Sequence, residues 1–121
     1  MYTTIIYIGY FTSKDMKLKK PIAFKWDEGN KDKNVQKHKV QNNESEEVFV
    51  NNAILLEDIS HSQEEIRYLV YGVTDGKRQL VTSFTLRGEK LEKIRVISSR
   101  DQDRKEKGLY RKMQEEVENK K

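Results

Sequence analysis

Residues 66–87 read IRYLVYGVTDGKRQLVTSFTLR, and their pattern decides the fold. Two runs rich in β-branched and aromatic residues, Ile66 to Thr74 and Gln79 to Arg87, flank the dipeptide Asp75-Gly76. That dipeptide between such runs predicts a hairpin, because a type I′ turn needs φ > 0 at both central positions. With a two-residue turn, Arg67 lies opposite Phe84 and shares a face with Leu69, Tyr71, Val73 and Leu80. Ile66, Tyr68, Val70, Val81 and Thr85 then share the other face. A turn one residue longer on one side would change this parity. Both faces are partly apolar, so helices must cover one and something else must shelter part of the other.

Working outward, Ala53 to Ile59 and Leu91 to Ser99 read as flanking strands, with Gly88 marking a tight connection. These connections are too short for crossovers, so the strands are expected to be antiparallel neighbours. Ile22 to Trp26 alternates as a short strand, and Asp27 is a candidate N-cap for a weak helix over 28–38. Asn43 with Glu46 resembles a capping box opening a second short helix whose buried end is Val48 and Phe49. Asp101 or Asp103 can cap a last helix reaching about Glu118, with Tyr110, Met113 and Val117 on one stripe. Gly108 weakens that helix by about 1 kcal/mol relative to alanine.

The expected fold is α+β: a four- to five-stranded, mainly antiparallel sheet, two short N-terminal helices and a C-terminal helix. The helices are expected on one side. Residues 1–21, with strand-like Thr3 to Phe11, a basic stretch and an internal Met16, read as an N-terminal extension or edge strand. Residues 22–121 read as the single domain.

Composition narrows the chemistry. The 121 residues allow one core, and with 35% hydrophobic against 36% charged residues that core must be thin and lean on its aromatics. Without cysteine there are no disulfides or thiolate metal sites. No run approaches the roughly 20 apolar residues of a membrane span, and no signal-peptide pattern precedes TTIIYIGYF, so a cytoplasmic chain with no membrane partner is expected. Asn43 to Glu65 holds seven acidic residues and no Lys or Arg, leaving +11 on the remainder of a chain whose net charge is +4. Such segregation suits a basic surface for a polyanion.

The two histidines, His38 and His61, lack metal-ligand spacing, and no nucleotide-cradling or GxSxG motif is present, so no metal and no cofactor are expected. What remains is Arg67, Arg87, Arg95 and Arg100 on neighbouring strands. Guanidinium forks match phosphate oxygens bidentately and could stabilise the added charge of a pentacoordinate transition state. That suits RNA cleavage, where the substrate's 2′-hydroxyl is the nucleophile and His38, His61 or Tyr110 could move the proton. Each has a plainer reading: Arg67 as a partner of Glu64-Glu65, His61 as a turn residue, Tyr110 as core. Arg95 and Arg100 differ by an odd number, so on a regular strand they point to opposite faces. They can share one phosphate only if the strand ends near Ser99 and Arg100 swings toward the face of Arg95.

At these residues the chain resembles the BrnT toxins. The resemblance is carried by Phe24-x-Trp26-Asp27, Asn34 with Lys37-His38, Glu46-Glu47-Val48-Phe49, His61-Ser62, Glu65-x-Arg67, Gly72, Phe84-Thr85-x-Arg87, Arg95-x-Ile97-Ser98-Ser99-Arg100 and Tyr110. Lys39 stands where a small residue is usual, and Ser99 where alanine is. The resemblance implies a RelE-like ribonuclease fold and the toxin half of a type II toxin–antitoxin pair, a metal-independent endoribonuclease. It implies Lys37, Arg87, Arg95 and Arg100 as RNA phosphate contacts, with Arg67, Arg95, Arg100, His61 and Tyr110 as the catalytic set. The implied partner is a BrnA-like ribbon-helix-helix antitoxin, with operator DNA contacted only through it, in a heterotetramer or alongside a homo-oligomeric toxin. A non-catalytic module holding nucleic acid or protein on the same face is the alternative.

Overall fold

A computed structural model describes the backbone of residues 4–7 and the whole of residues 23–58 and 64–119. The expectations placed on His61, Ser62, Met16 and the rest of the basic N-terminal stretch lie outside the described residues.

The hairpin forms where the Asp75-Gly76 signal puts it, between β4 (Arg67–Val73) and β5 (Gln79–Arg87). Its loop, however, is one residue longer than a two-residue turn. The Thr74 N–H donates to the Arg78 carbonyl at 2.8 Å, and the Lys77 N–H to the Thr74 carbonyl at 2.9 Å. The left-handed residue is Lys77, at φ 73°. A turn closed by one left-handed residue fits the strand twist as a primed turn does. Arg67 is therefore opposite Thr85, not Phe84, and Val81 rather than Leu80 joins its face.

β3 (Ile54–Glu57) flanks β4, and β6 (Lys93–Asp101) flanks β5, all antiparallel. Two short strands close the edges: β1 (Thr4–Tyr7) runs antiparallel to β3, and β2 (Ala23–Phe24) runs parallel to β6. The sheet order is β1-β3-β4-β5-β6-β2.

The helices lie on both faces rather than on one. α1 (Lys33–His38) and α2 (Asn42–Glu47) sit on the first face, where Val40, Val48 and Phe49 pack with Leu55, Val70, Leu80, Phe84, Ile94 and Val96. α3 (Arg104–Asn119) covers the second, packing Tyr110, Met113 and Val117 on Ile54, Leu56, Tyr71 and Val81. The reason is in the strands: both faces of β4 and β5 carry apolar residues, and each must be buried separately.

Two helix starts shift from the expected positions, while α3 starts where Asp103 was expected to cap it. Asp27 heads a tight turn, its carbonyl accepting the N–H groups of Asn30 and Lys31, and α1 begins six residues later. Glu44 accepts the Gln41 N–H at 3.0 Å, so the box that opens α2 lies two residues before Asn43/Glu46. At α3 the capping box is Asp103/Glu106, with reciprocal bonds of 2.8 and 2.9 Å.

One close approach demands glycine. A Cβ on Gly72 would stand 2.4 Å from the Val48 carbonyl oxygen, so the end of α2 rests directly on β4 there. Trp26 Nε1 donates to Glu46 at 2.7 Å, and rings of Phe24, Phe49, Phe84 and Tyr68 follow one another at 5.3, 4.9 and 5.4 Å.

Candidate phosphate-binding face

The strand expected to end near Ser99 runs on through Asp101. It is not regular. Ser98 pairs with Ser83 but Val96 pairs with Phe84, so Ile97 is an extra residue that bulges from the ladder. A bulge inserts one residue and shifts parity beyond it. Arg95 lies opposite Thr85 and Arg100 opposite Val81, four residues apart on β5, so the two arginines share a face after all.

The bulge exposes backbone groups on the outer side of β6, and residues more than sixty positions earlier satisfy them. Asn30 Nδ2 donates to the Val96 carbonyl at 2.9 Å, and Lys33 Nζ to the Ile97 carbonyl at 3.0 Å. Asn34 Oδ1 accepts the Ser99 N–H at 3.0 Å. α1 and the turn before it thus cover the edge of β6. Both departures from the resemblance are accommodated here. Lys39 holds the left-handed C-cap of α1 at φ 58°, where a residue without Cβ would be unstrained. The buried Ser99 hydroxyl meets Thr82 Oγ1 at 2.7 Å.

The second face of the sheet can be read in rows across the strands. One row is Arg67, Thr85 and Arg95; the next is Leu69, Ser83 and Ser98; the third is Tyr71, Val81 and Arg100. Arg87 and Lys93 pair beyond the first row. α3 covers the Tyr71–Val81 end, while Ser83, Ser98, Arg95 and Arg100 stay partly open to solvent. Arg95 and Arg100 are thus about 13 Å apart along the sheet, at roughly 3.3 Å per residue, with the two serines between them.

Each of three arginines on this face is held by a carboxylate. Arg95 grips both oxygens of Asp27 at 3.3 and 3.1 Å, Arg87 grips Glu65 at 3.2 and 3.0 Å, and Arg100 grips Glu106 at 2.7 and 2.8 Å. The forks are therefore already arranged for a planar or tetrahedral oxyanion. Arg95 holds the Asp27 carboxyl below its usual range, against the opposing effect of burial, and Arg87 does the same for Glu65. The nearby charge of Arg67 lowers Glu65 further.

The remaining candidates fall elsewhere. Tyr110 is in the core, its hydroxyl donating to the Asn52 carbonyl at 2.8 Å and its ring beside Tyr71. Lys37 is exposed on α1, where it lines a groove with Glu28, Asp32, Lys33 and Gln36. His38 follows it, with its pKa lowered first by burial and then by Lys37, Arg100 and Lys33. It is accordingly neutral at neutral pH, able to accept a proton.

Sequence reading passed over Arg78, which nothing but its place after the turn distinguishes. It binds both oxygens of Asp101 at 2.6 and 3.0 Å, Glu44 at 3.2 Å, and the carbonyls of His38 and Lys39. It thereby ties the end of α1 to the hairpin and sets where His38 stands. The acidic stretch is largely spent in the same way, since Glu44, Glu46, Glu47 and Glu65 all hold partners within the chain.

These features define a small α+β protein whose second sheet face, covered at one end by α3, is lined with arginines beside it. The chain belongs to the BrnT family: the model described as "Ribonuclease toxin, BrnT, of type II toxin-antitoxin system" matches residues 26–106. Membership makes it a type II toxin–antitoxin component and implies an antitoxin partner. No curated protein matches the chain. Among the described residues there is no cluster of three metal-ligating side chains, and no helix is long and apolar enough to cross a membrane.

Proposed function

We propose that this chain is a metal-independent endoribonuclease toxin that cleaves RNA and stops growth until a BrnA-like ribbon-helix-helix antitoxin covers it. The observation that carries the reading is the bulge at Ile97, which sets Arg95 and Arg100 on one face around the open Ser83–Ser98 row. An RNA phosphate seated over those serines would lie within reach of both guanidiniums. The substrate's 2′-hydroxyl attacks that phosphorus and the 5′-oxygen leaves, so the protein need supply only charge stabilisation and proton transfer. Neutral His38, at the end of α1 and within the field of Arg100, takes the 2′-hydroxyl proton, and Arg67 in the row of Arg95 adds positive charge. Operator DNA is contacted only through the antitoxin, in a toxin–antitoxin heterotetramer.

Expression from a tightly controlled promoter tests this. The wild-type chain should arrest growth and fragment RNA, and Arg100→Ala should relieve both while keeping its circular dichroism. A soluble wild-type chain that leaves growth and RNA untouched rules the reading out. The carboxylates already seated on three arginines favour one rival, a module that holds RNA without cutting it. Under that reading the purified chain binds an RNA oligonucleotide and returns it intact.

A further inference from the structure

On α3 the cations are arranged differently from those on the sheet. Arg104, Lys107 and Arg111 follow one stripe and, with Gln79, Gly108 and Gln114, line an open cleft of about 580 Å³ between α3 and β5. Arg104, Lys107 and Arg111 are exposed, and none pairs with a carboxylate among the described residues. Asp101 feels the charge of Lys107, but both its oxygens are bound by Arg78.

Helix stability does not account for this arrangement. Apart from Glu106 of the capping box, the N-terminal part of α3 carries Arg104, Lys105, Lys107, Arg111 and Lys112, and the C-terminal part Glu115, Glu116 and Glu118. That polarity opposes the helix dipole, which favours acids first and bases last. Arg104 with Lys107 and Lys107 with Arg111 are like-charge neighbours at i,i+3 and i,i+4, which also cost stability. Gly108 costs the helix about 1 kcal/mol relative to alanine. No packing requires it, since a Cβ there would meet nothing within 4 Å. What its missing side chain does is leave the floor of the cleft open.

We propose that this cleft is a second RNA subsite, which grips the phosphate backbone of the strand beyond the scissile position. The inference rests on the ribonuclease reading above. The lining favours a nucleic-acid backbone over a protein segment, because it offers no apolar side chain into which a peptide anchor could dock. Arginine, lysine and glutamine are the side chains that phosphate contacts use. The cleft lies across α3 from the Ser83–Ser98 row, since Gln79 is one row beyond Val81, and Arg100, bound to Glu106 in the first turn of α3, stands near Arg104 between the two. A strand leaving the Ser83–Ser98 row past Arg100 would round the first turn of α3 to reach Arg104, Lys107 and Arg111.

The test is anisotropy of the full chain with a labelled single-stranded oligonucleotide carrying 2′-O-methyl groups, which cannot be cleaved, over a range of salt. Two variants are compared with wild type: Arg104→Gln/Lys107→Gln/Arg111→Gln, and Gly108→Glu. The second places a carboxylate into open space at a site where glutamate favours the helix more than glycine does, so loss of fold does not confound it. Three lost phosphate contacts should flatten the log–log salt dependence by about 2, at about 0.7 per contact on single strands, and Gly108→Glu should weaken binding at low salt. If wild type binds and both variants match it in affinity and slope, the subsite is overturned while the ribonuclease reading stands. If both variants bind RNA normally but escape neutralisation by the co-expressed antitoxin, the cleft belongs to the antitoxin and the RNA subsite is likewise overturned. If wild type itself neither binds nor cuts RNA, the ribonuclease reading falls and takes this inference with it.

Discussion

The two faces of this sheet come from the same strands yet are closed in opposite ways. On the first, Val40, Val48 and Phe49, just beyond α1 and α2, seal the face with apolar groups around one buried Thr82–Ser99 pair, and the rings of Phe24, Phe49, Phe84 and Tyr68 run through it. On the second, α3 buries only the end holding Ile54, Tyr71 and Val81, while Arg100 at the β6 end of that row and Arg95 and Arg87 in the rows beyond are bound to carboxylates. The contrast separates what holds the fold from what is available to a ligand. Many of the motif residues belong to the first face: Phe24, Trp26, Glu46, Val48, Phe49, Gly72 and Phe84 all serve the docking of α2. Resemblance in those positions reports the fold, whereas Arg95 and Arg100 belong to the face on which the proposed site rests.

Damage to the first face should have the largest effect on the fold. Phe84→Ala removes a fully buried ring touching two other aromatics and should cost about 3–5 kcal/mol, read from the denaturant midpoint. Gly72→Ala should cost about 1–3 kcal/mol, because the new methyl meets backbone rather than a movable side chain. A stability equal to wild type in that variant would mean that α2 does not rest on β4 as described.

The second face should respond the other way, losing little stability. Arg95→Ala opens a pair whose partner Asp27 is 38% exposed, so the denaturant midpoint should shift little, far less than for Phe84→Ala. RNA cleavage should fall far more steeply than stability does. A collapse of the fold instead would move Arg95 to the structural side of the comparison.

The smallest effect is a matter of pH. Asp101 and Glu65 have folded-state pKa values held below their ordinary ones, chiefly by hydrogen bonds from Arg78 and Arg87. Their contribution is present above the unfolded-state pKa and disappears as pH falls through the folded one. Stability should therefore decline below about pH 5, and Asp101→Asn should show a shallower decline in an acid titration of the denaturant midpoint. His38 works at a different pH and with a different readout. Its lowered pKa keeps it neutral at pH 7, so RNA cleavage that relies on it as base should weaken only on acidification below the ordinary histidine range.

The central strands, the position of the hairpin, the helical stripe of Tyr110, Met113 and Val117, and the basic character of the sheet were all legible in the amino-acid sequence. Each rests on local periodicity or on residues a few positions apart, which the chain carries without reference to the rest of the fold. Three features were not legible, and all of them bear on the site. Parity across the hairpin turned on Lys77 taking the left-handed position, a choice between turns that Asp75-Gly76 serves equally well. The helices took both faces because two apolar surfaces had to be buried, and no local pattern says which helix covers which. Above all, Arg95 and Arg100 share a face only because Ile97 bulges, and that bulge is held by Asn30, Lys33 and Asn34 from the far end of the sequence. Residue identity alone picked out the arginines as the candidates for an anion. Tertiary structure decided which of them stand together, because one extra residue in a ladder reverses every side chain beyond it.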